Sequence, residues 1–255
     1  MTETSGFVNH DGAALAWRRT PGEGPVVVWL GGFRSDMTGT KAEALAAWAR
    51  AGGRDFLRFD YFAHGQSEGR FEAATITRWR ADALAIIDAL TEGPLVLVGS
   101  SMGGWLACLA AMARPKRVRA LVLIAPAADF TDKLLAPSLP PKGRAAIARD
   151  GVWVRPSIHG DEGYPITRAL LEDGARWSIL PGPVAVTAPV RILQGGADPD
   201  VPWTHALELA RALKGEDVVF CLIRDGDHRL SRPRDLRRLI AAVEEVVEIR
   251  ESRRS

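Results

Sequence analysis

Cysteine is scarce in this chain, and the two thiols, Cys108 and Cys221, fall within apolar helix and strand patterns. Both read as reduced, buried side chains, which leaves no disulfide framework and no redox pair. No apolar run approaches the roughly 18 residues that cross a bilayer, so no membrane span is expected. Basic blocks are missing too: 33 Lys and Arg face 31 Asp and Glu, and the net charge of +2 offers nucleic acid no footprint. The CxxC, HExxH and EF-hand spacings are absent, and GSSMGG lacks the lysine of a phosphate-binding loop. Neither a metal nor a nucleotide is therefore expected. The opening MTETSGFVNHDG has neither the basic start and apolar stretch of a secretory signal nor the arginine-rich pattern of a transit peptide. A cytoplasmic location is the expectation.

What is present is an ordinary globular composition, 47% hydrophobic and 25% charged, arranged as short apolar runs alternating with helical patterns. That alternation predicts an α/β architecture, a mostly parallel sheet covered on both faces. GFVNHDGAALAWRR reads as a hairpin turning at Asp11-Gly12. Buried parallel strands follow at 25–32, 54–61, 94–100, 118–126, 189–196 and 217–223, which makes eight strands in all. Helices are predicted near 37–50, 73–90, 103–113, 203–213 and 231–248. The chain reads as one domain over residues 1–255. The interval from Pro126 to Pro189 is too long for a plain crossover and carries helix patterns near 131–136, 141–149 and 165–177. We read it as an inserted lid, about 128–186, over the carboxyl edge of the sheet, where open α/β sheets place ligands.

The stretch PLVLVGSSMGGWLA holds two serines where a buried strand gives way to glycines. A serine nucleophile must be exposed on a sharp strand-to-helix turn, and the residues two before and two after it must be small because strand and helix cross there. Gly99 and Gly103 satisfy that condition for Ser101. Val98 and Met102 fail it for Ser100. A G-x-S-x-G pattern between a strand and an alanine-rich helix points to acyl-transfer chemistry at Ser101.

Such a serine needs a histidine base held by a carboxylate, in the chain order serine, acid, histidine. His10 lies in the hairpin, His159 in the lid and His205 at a helix start, while His64 precedes the serine. His228, in LIRDGDHRLS, sits just past the last strand and is the preferred base. Asp198, in QGGADPDVP, leaves the preceding strand at the right place; Asp200 and Asp129 are the alternatives, and Asp200 reads as a helix cap or turn residue. The oxyanion requires two backbone N–H groups, one from Met102 and one from Phe33, which follows Gly31-Gly32. Asp198, Asp200, Asp225, Asp227 and His228 could in principle converge on a metal, but no ligand spacing supports it.

GSSMGG, FDYFAHGQSEG, LQGGADPDVPW and DGDHRLSR occur in the order of the α/β-hydrolase fold family, which the chain resembles from about Gly6 onward. LQGGADPDVPWTHALELA and LIRDGDHRLSRPRDL further resemble the subgroup containing the mitochondrial mycophenolic acid acyl-glucuronide esterase, also described as a palmitoyl-protein thioesterase. The resemblance implies a Ser101, Asp198, His228 triad and esterase or thioesterase activity on acylated substrates, without a cofactor. Trp153, Trp177, Leu134 and Leu135 are candidate acyl contacts under the lid. A ligand receptor, a carbon–carbon hydrolase and a cofactor-free haloperoxidase share this fold and are the alternative readings. No motif specifies an oligomeric state.

Overall fold

The computed structural model describes residues 2–156, 163–180 and 182–248. His159 lies outside them. The chain opens with the hairpin β1 (Thr4–His10) and β2 (Ala13–Thr20), His10 opposite Ala13. Asp11 and Gly12 both adopt positive φ, 44° and 74°, as a two-residue turn between right-twisted strands requires. There follow β3 (Glu23–Leu30), α1 (Thr40–Gly52), β4 (Arg54–Phe59), α2 (Ile76–Leu90), β5 (Leu95–Ser100), α3 (Met102–Ala113) and β6 (Val118–Ile124). After a long excursion come β9 (Val190–Gly195), α7 (Trp203–Ala212), β10 (Val218–Ile223) and α8 (Pro233–Glu248). The eight strands form one sheet in the order β1-β2-β4-β3-β5-β6-β9-β10, antiparallel as far as the β2–β4 pairing and parallel beyond it.

Strand alternation builds two cores. In β5, Leu95 and Leu97 join Trp79, Trp105 and Leu106 under α2 and α3, whereas Val96 and Val98 point to Leu45, Ala49 and Val243 under α1 and α8. The chain runs outward from β3 to β4, then returns past β3 to β5 before growing the other way. The crevice beyond the carboxyl ends of β3 and β5 is therefore the switch point of the sheet, and both glycine-rich loops open there.

Two expectations need correction. The last strand is not buried: it is the sheet edge, Val219 and Leu222 are exposed, and Cys221 on it is only half-buried, unlike Cys108. The excursion is also not purely helical. It contains a π-helical turn at Thr131–Leu135, α4 (Ala136–Ser138), α5 (Pro141–Asp150), then β7 (Val152–Arg155) paired antiparallel with β8 (Tyr164–Thr167), and α6 (Arg168–Arg176). The helix expected from 165 starts at Arg168, because Thr167 Oγ1 accepts the Leu170 N–H at 3.0 Å and caps it. Leu135, Leu139, Ile147, Ile166 and Leu170 of this segment pack onto the same core as α2 and α3. Among the described residues, no helix is long and apolar enough to cross a membrane.

Candidate active site

Ser101 sits between β5 and α3 with φ 55° and ψ −119°. Such a conformation costs an L-residue about 1–3 kcal/mol and persists only where surroundings impose it. Here the Ser101 N–H donates to Ile124 O at 2.9 Å, and its carbonyl accepts from Gly104 N at 2.9 Å and Ala127 N at 3.1 Å. A methyl group on Gly99 would overlap the backbone of Gly103, and one on Gly103 would overlap the Leu30 carbonyl. The two glycines are thus needed for strand and helix to cross. Ser100 is buried beside the turn, and Ser101 is the serine left partly open.

The acid and histidine loops are tied together before they reach the serine. Ala197 N donates to Gly226 O at 2.9 Å and Gly196 N to Ile223 O at 2.8 Å, and side chains on Gly195 or Gly196 would strike the 224–227 backbone. His228 Nδ1 lies 2.9 Å from Asp198 Oδ2, and His228 Nε2 lies 3.2 Å from Ser101 Oγ. Asp198, with its side chain fully buried, also accepts from Asp200 N at 2.8 Å, Val201 N at 2.9 Å and Gln194 Nε2 at 3.2 Å. Burial alone would raise this carboxyl. The His228 hydrogen bond and charge, with the Val201 and Asp200 N–H groups, outweigh burial and hold it below the usual range.

Opposite the serine, a Cβ built on Gly32 would stand 3.3 Å from Ser101 Cβ and 3.3 Å from Ser100 O, so the loop after β3 passes directly over the turn. Phe33 follows, and among the described residues its N–H has no acceptor. Met102 opens α3, where the first N–H groups have none within the helix. Arg34 comes next at φ 57°, its N–H donating to His64 Nε2 at 3.1 Å. His64 Nδ1 donates in turn to Phe62 O at 3.1 Å. Burial pushes the His64 imidazole down to about 4, with the Phe62 carbonyl opposing and the Arg34 charge assisting, so the ring is neutral and Nε2 is free to accept.

The remaining sequence candidates are engaged by other contacts. His205 is buried, with Nε2 2.8 Å from Ala128 O. Asp129, one of the alternative acids, accepts from Ser178 Oγ at 2.6 Å, Ile179 N at 2.9 Å and Leu180 N at 3.0 Å, and so anchors the excursion. Asp200 caps nothing: α7 has no side-chain cap, and it is the Asp198 carboxylate that shapes the turn. Asp198, Asp200 and His228 do converge, but Asp225 pairs with Arg232 and Arg234, and Asp227 accepts from Leu230 N. Leu135 is buried and Leu134 half-buried against the core. Trp153 packs on Gly143, and Trp177 is engaged by α2, its Nε1 donating to Thr77 Oγ1 at 2.7 Å with Arg80 stacked 4.4 Å from the ring. The rings that do meet Phe33 from the excursion are Phe130 and Tyr164, 5.4 and 5.8 Å away, within a cluster with Phe71 and Trp79. Sequence reasoning missed this cluster, whose members are dispersed singly along the chain. It also missed Lys41, whose Nζ donates to Arg229 O at 2.5 Å beside the histidine.

Residues 25–169 match the family described as serine aminopeptidase, S33 (Hydrolase_4). The chain belongs to this family. It is 38% identical over 235 residues to the mitochondrial palmitoyl-protein thioesterase ABHD10 of Mus musculus, covering 92% of this chain and 79% of that protein. To the Homo sapiens counterpart it is 36% identical over 235 residues, covering 92% and 76%. A crystal structure from Agrobacterium vitis S4 superimposes with a TM-score of 0.90 at 43% identity, covering 97% of this chain and 99% of that one. The alpha/beta hydrolase domain-containing protein 10 from mouse does so at 0.87 and 37%, covering 96% and 98%. The fold is thus the α/β-hydrolase fold, and the chain is an enzyme of the hydrolase class. Both ABHD10 relatives are mitochondrial by name, which overturns the cytoplasmic location expected from the N-terminal composition. Lack of signal features in one stretch is silent on location.

Proposed function

We propose that this enzyme hydrolyses carboxylic esters or thioesters through an acyl-enzyme formed on Ser101. The observation that carries the reading is the unbroken chain from Asp198 Oδ2 to His228 Nδ1, 2.9 Å, and from His228 Nε2 to Ser101 Oγ, 3.2 Å. The likeness to palmitoyl-protein thioesterases over most of their length supports an acylated substrate.

In this cycle Ser101 Oγ attacks the acyl carbonyl carbon while His228 Nε2 takes its proton. The oxyanion is bound by the N–H groups of Phe33 and Met102, preorganised by the His64 bond to Arg34 N and by the start of α3. The carbonyl re-forms as the alcohol or thiol departs with the proton from His228. Water then attacks the acyl-serine, giving its proton to His228, and the serine leaves reprotonated with the free acid as product. Asp198 keeps the imidazole in the tautomer that presents Nε2 to the serine and stabilises its charged form. We read the excursion as the lid of this site, a reading supported by the packing of Phe130 and Tyr164 on Phe33.

The test is turnover of p-nitrophenyl esters and acyl thioesters of increasing chain length, with an aminoacyl p-nitroanilide as the peptidase arm. The reading predicts hydrolysis of esters or thioesters that Ser101→Ala abolishes. Turnover of the anilide alone, or full ester turnover by Ser101→Ala, would overturn it.

A further inference from the structure

Arg34 is exposed at the rim of the loop that crosses Ser101, two residues past Gly32. Its left-handed backbone, pinned to His64, throws the guanidinium over two rings: its carbon lies 4.8 Å from the Tyr164 centroid and 5.6 Å from that of Phe71. Both rings touch Phe33. Acids of the neighbouring segments are committed: Asp36 accepts from Thr38, Glu43 pairs with Arg58, and buried Asp60 accepts from Met37 N and Gln66 N. Among the described residues, no carboxylate lies within ion-pair distance of Arg34. That contrasts with Arg19, Arg58, Arg78, Arg114, Arg191 and Arg232, each paired with Asp or Glu. A second cation approaches the same ring from the excursion, since Arg155 stands opposite Tyr164 in the β7–β8 register with its guanidinium carbon 6.0 Å from the centroid.

We propose that Arg34, backed by Arg155, forms an anion subsite at the mouth of the active site, so that preferred substrates carry a carboxylate or phosphate group close to the scissile acyl bond. The inference rests on the Ser101 reading for the position of that bond. A guanidinium stacked on aromatic faces is held in one orientation while its N–H edge stays free for a bidentate oxyanion. The anion can belong to the acyl group or to the leaving group, and two matched substrate pairs separate these sources. 4-Nitrophenyl hydrogen succinate against its methyl ester tests an acyl-side charge; butyryl-coenzyme A against S-butyryl-N-acetylcysteamine tests a leaving-group charge.

For at least one pair, Arg34→Met is expected to lower the anionic-to-neutral ratio of kcat/KM about 5–20-fold, with Arg34→Lys recovering part of it. The native preference should shrink as NaCl rises from about 0.02 M to about 0.5 M. Binding of coenzyme A and of monomethyl succinate to the Ser101→Ala protein, by calorimetry, gives a readout independent of turnover. There Arg34→Met should weaken at least one of the two by about 5–20-fold. Equal losses for charged and neutral members in both pairs, with unchanged calorimetric affinities, would overturn the subsite and reduce Arg34 to a packing residue. If the Ser101 reading alone fails, esters are not cleaved at Ser101, yet the calorimetric effect of Arg34 persists.

Discussion

Buried His64 makes the protein acid-labile in a window set by one ring. The ordinary imidazole value of 6.5 falls to about 4 in the folded chain because burial disfavours the cation. Between those values the unfolded chain binds a proton at this position and the folded chain does not, so acidification favours unfolding. The contribution is fully present above about pH 6.5, declines as the pH falls toward 4, and changes no further below it. The difference corresponds to about 3 kcal/mol. With a urea slope of about 3 kcal/mol per M, that is a midpoint shift of about 1 M. The assay is urea unfolding followed by tryptophan fluorescence at several pH values from 7 to 4, native chain against His64→Gln. Buried Asp60 and Asp82, both raised, and His205, lowered, titrate in both proteins and cancel in the comparison. Because protonated Nε2 cannot accept the Arg34 N–H, loss of esterase activity through this ring should set in reversibly only near pH 4, where the folded chain takes up the proton. Parallel pH dependences for the two proteins would refute the reasoning.

Other perturbations follow from single contacts. Gly103→Ala drives a methyl group into the Leu30 carbonyl and should cost about 3 kcal/mol in urea unfolding; native stability would mean that strand and helix do not cross as described. Asp129→Ala strands the N–H groups of Ile179 and Leu180 and should cost about 2–4 kcal/mol, with earlier proteolytic cleavage in the excursion and partial recovery in Asp129→Asn. Asp198→Asn should lower kcat about 10³–10⁴-fold at little change in KM, because the amide no longer fixes the His228 tautomer.

The parts of this molecule that sequence made legible are those with dense local constraint. β5 reads from an unbroken run of branched residues, and the Ser101 turn from two glycines whose hydrogens face backbone. The acid and histidine loops read from chain order past the last two strands, whereas the glycines where they touch, Gly195, Gly196 and Gly226, take on meaning only in the folded chain. What stayed hidden depends on distant partners. Strands β7 and β8 have four residues each, too few for alternation to declare itself. That Thr77, a hundred positions away, holds the indole N–H of Trp177 has no sign in the local pattern around either residue. His64 reads in sequence only as a histidine that precedes the serine, and its task as acceptor for the Arg34 N–H exists only once β3 and β4 lie side by side. Cys221 was misplaced because a β10 edge and a central strand share the same residue pattern.

The central claim is that Ser101 Oγ, and not its neighbour, is the atom that bonds to the acyl group. Treatment with a fluorophosphonate followed by peptide mass spectrometry addresses it directly, on the native chain and on Ser100→Ala and Ser101→Ala. The account predicts one adduct, on Ser101, retained in Ser100→Ala and absent from Ser101→Ala. An adduct on Ser100, or undiminished labelling of Ser101→Ala, would contradict it.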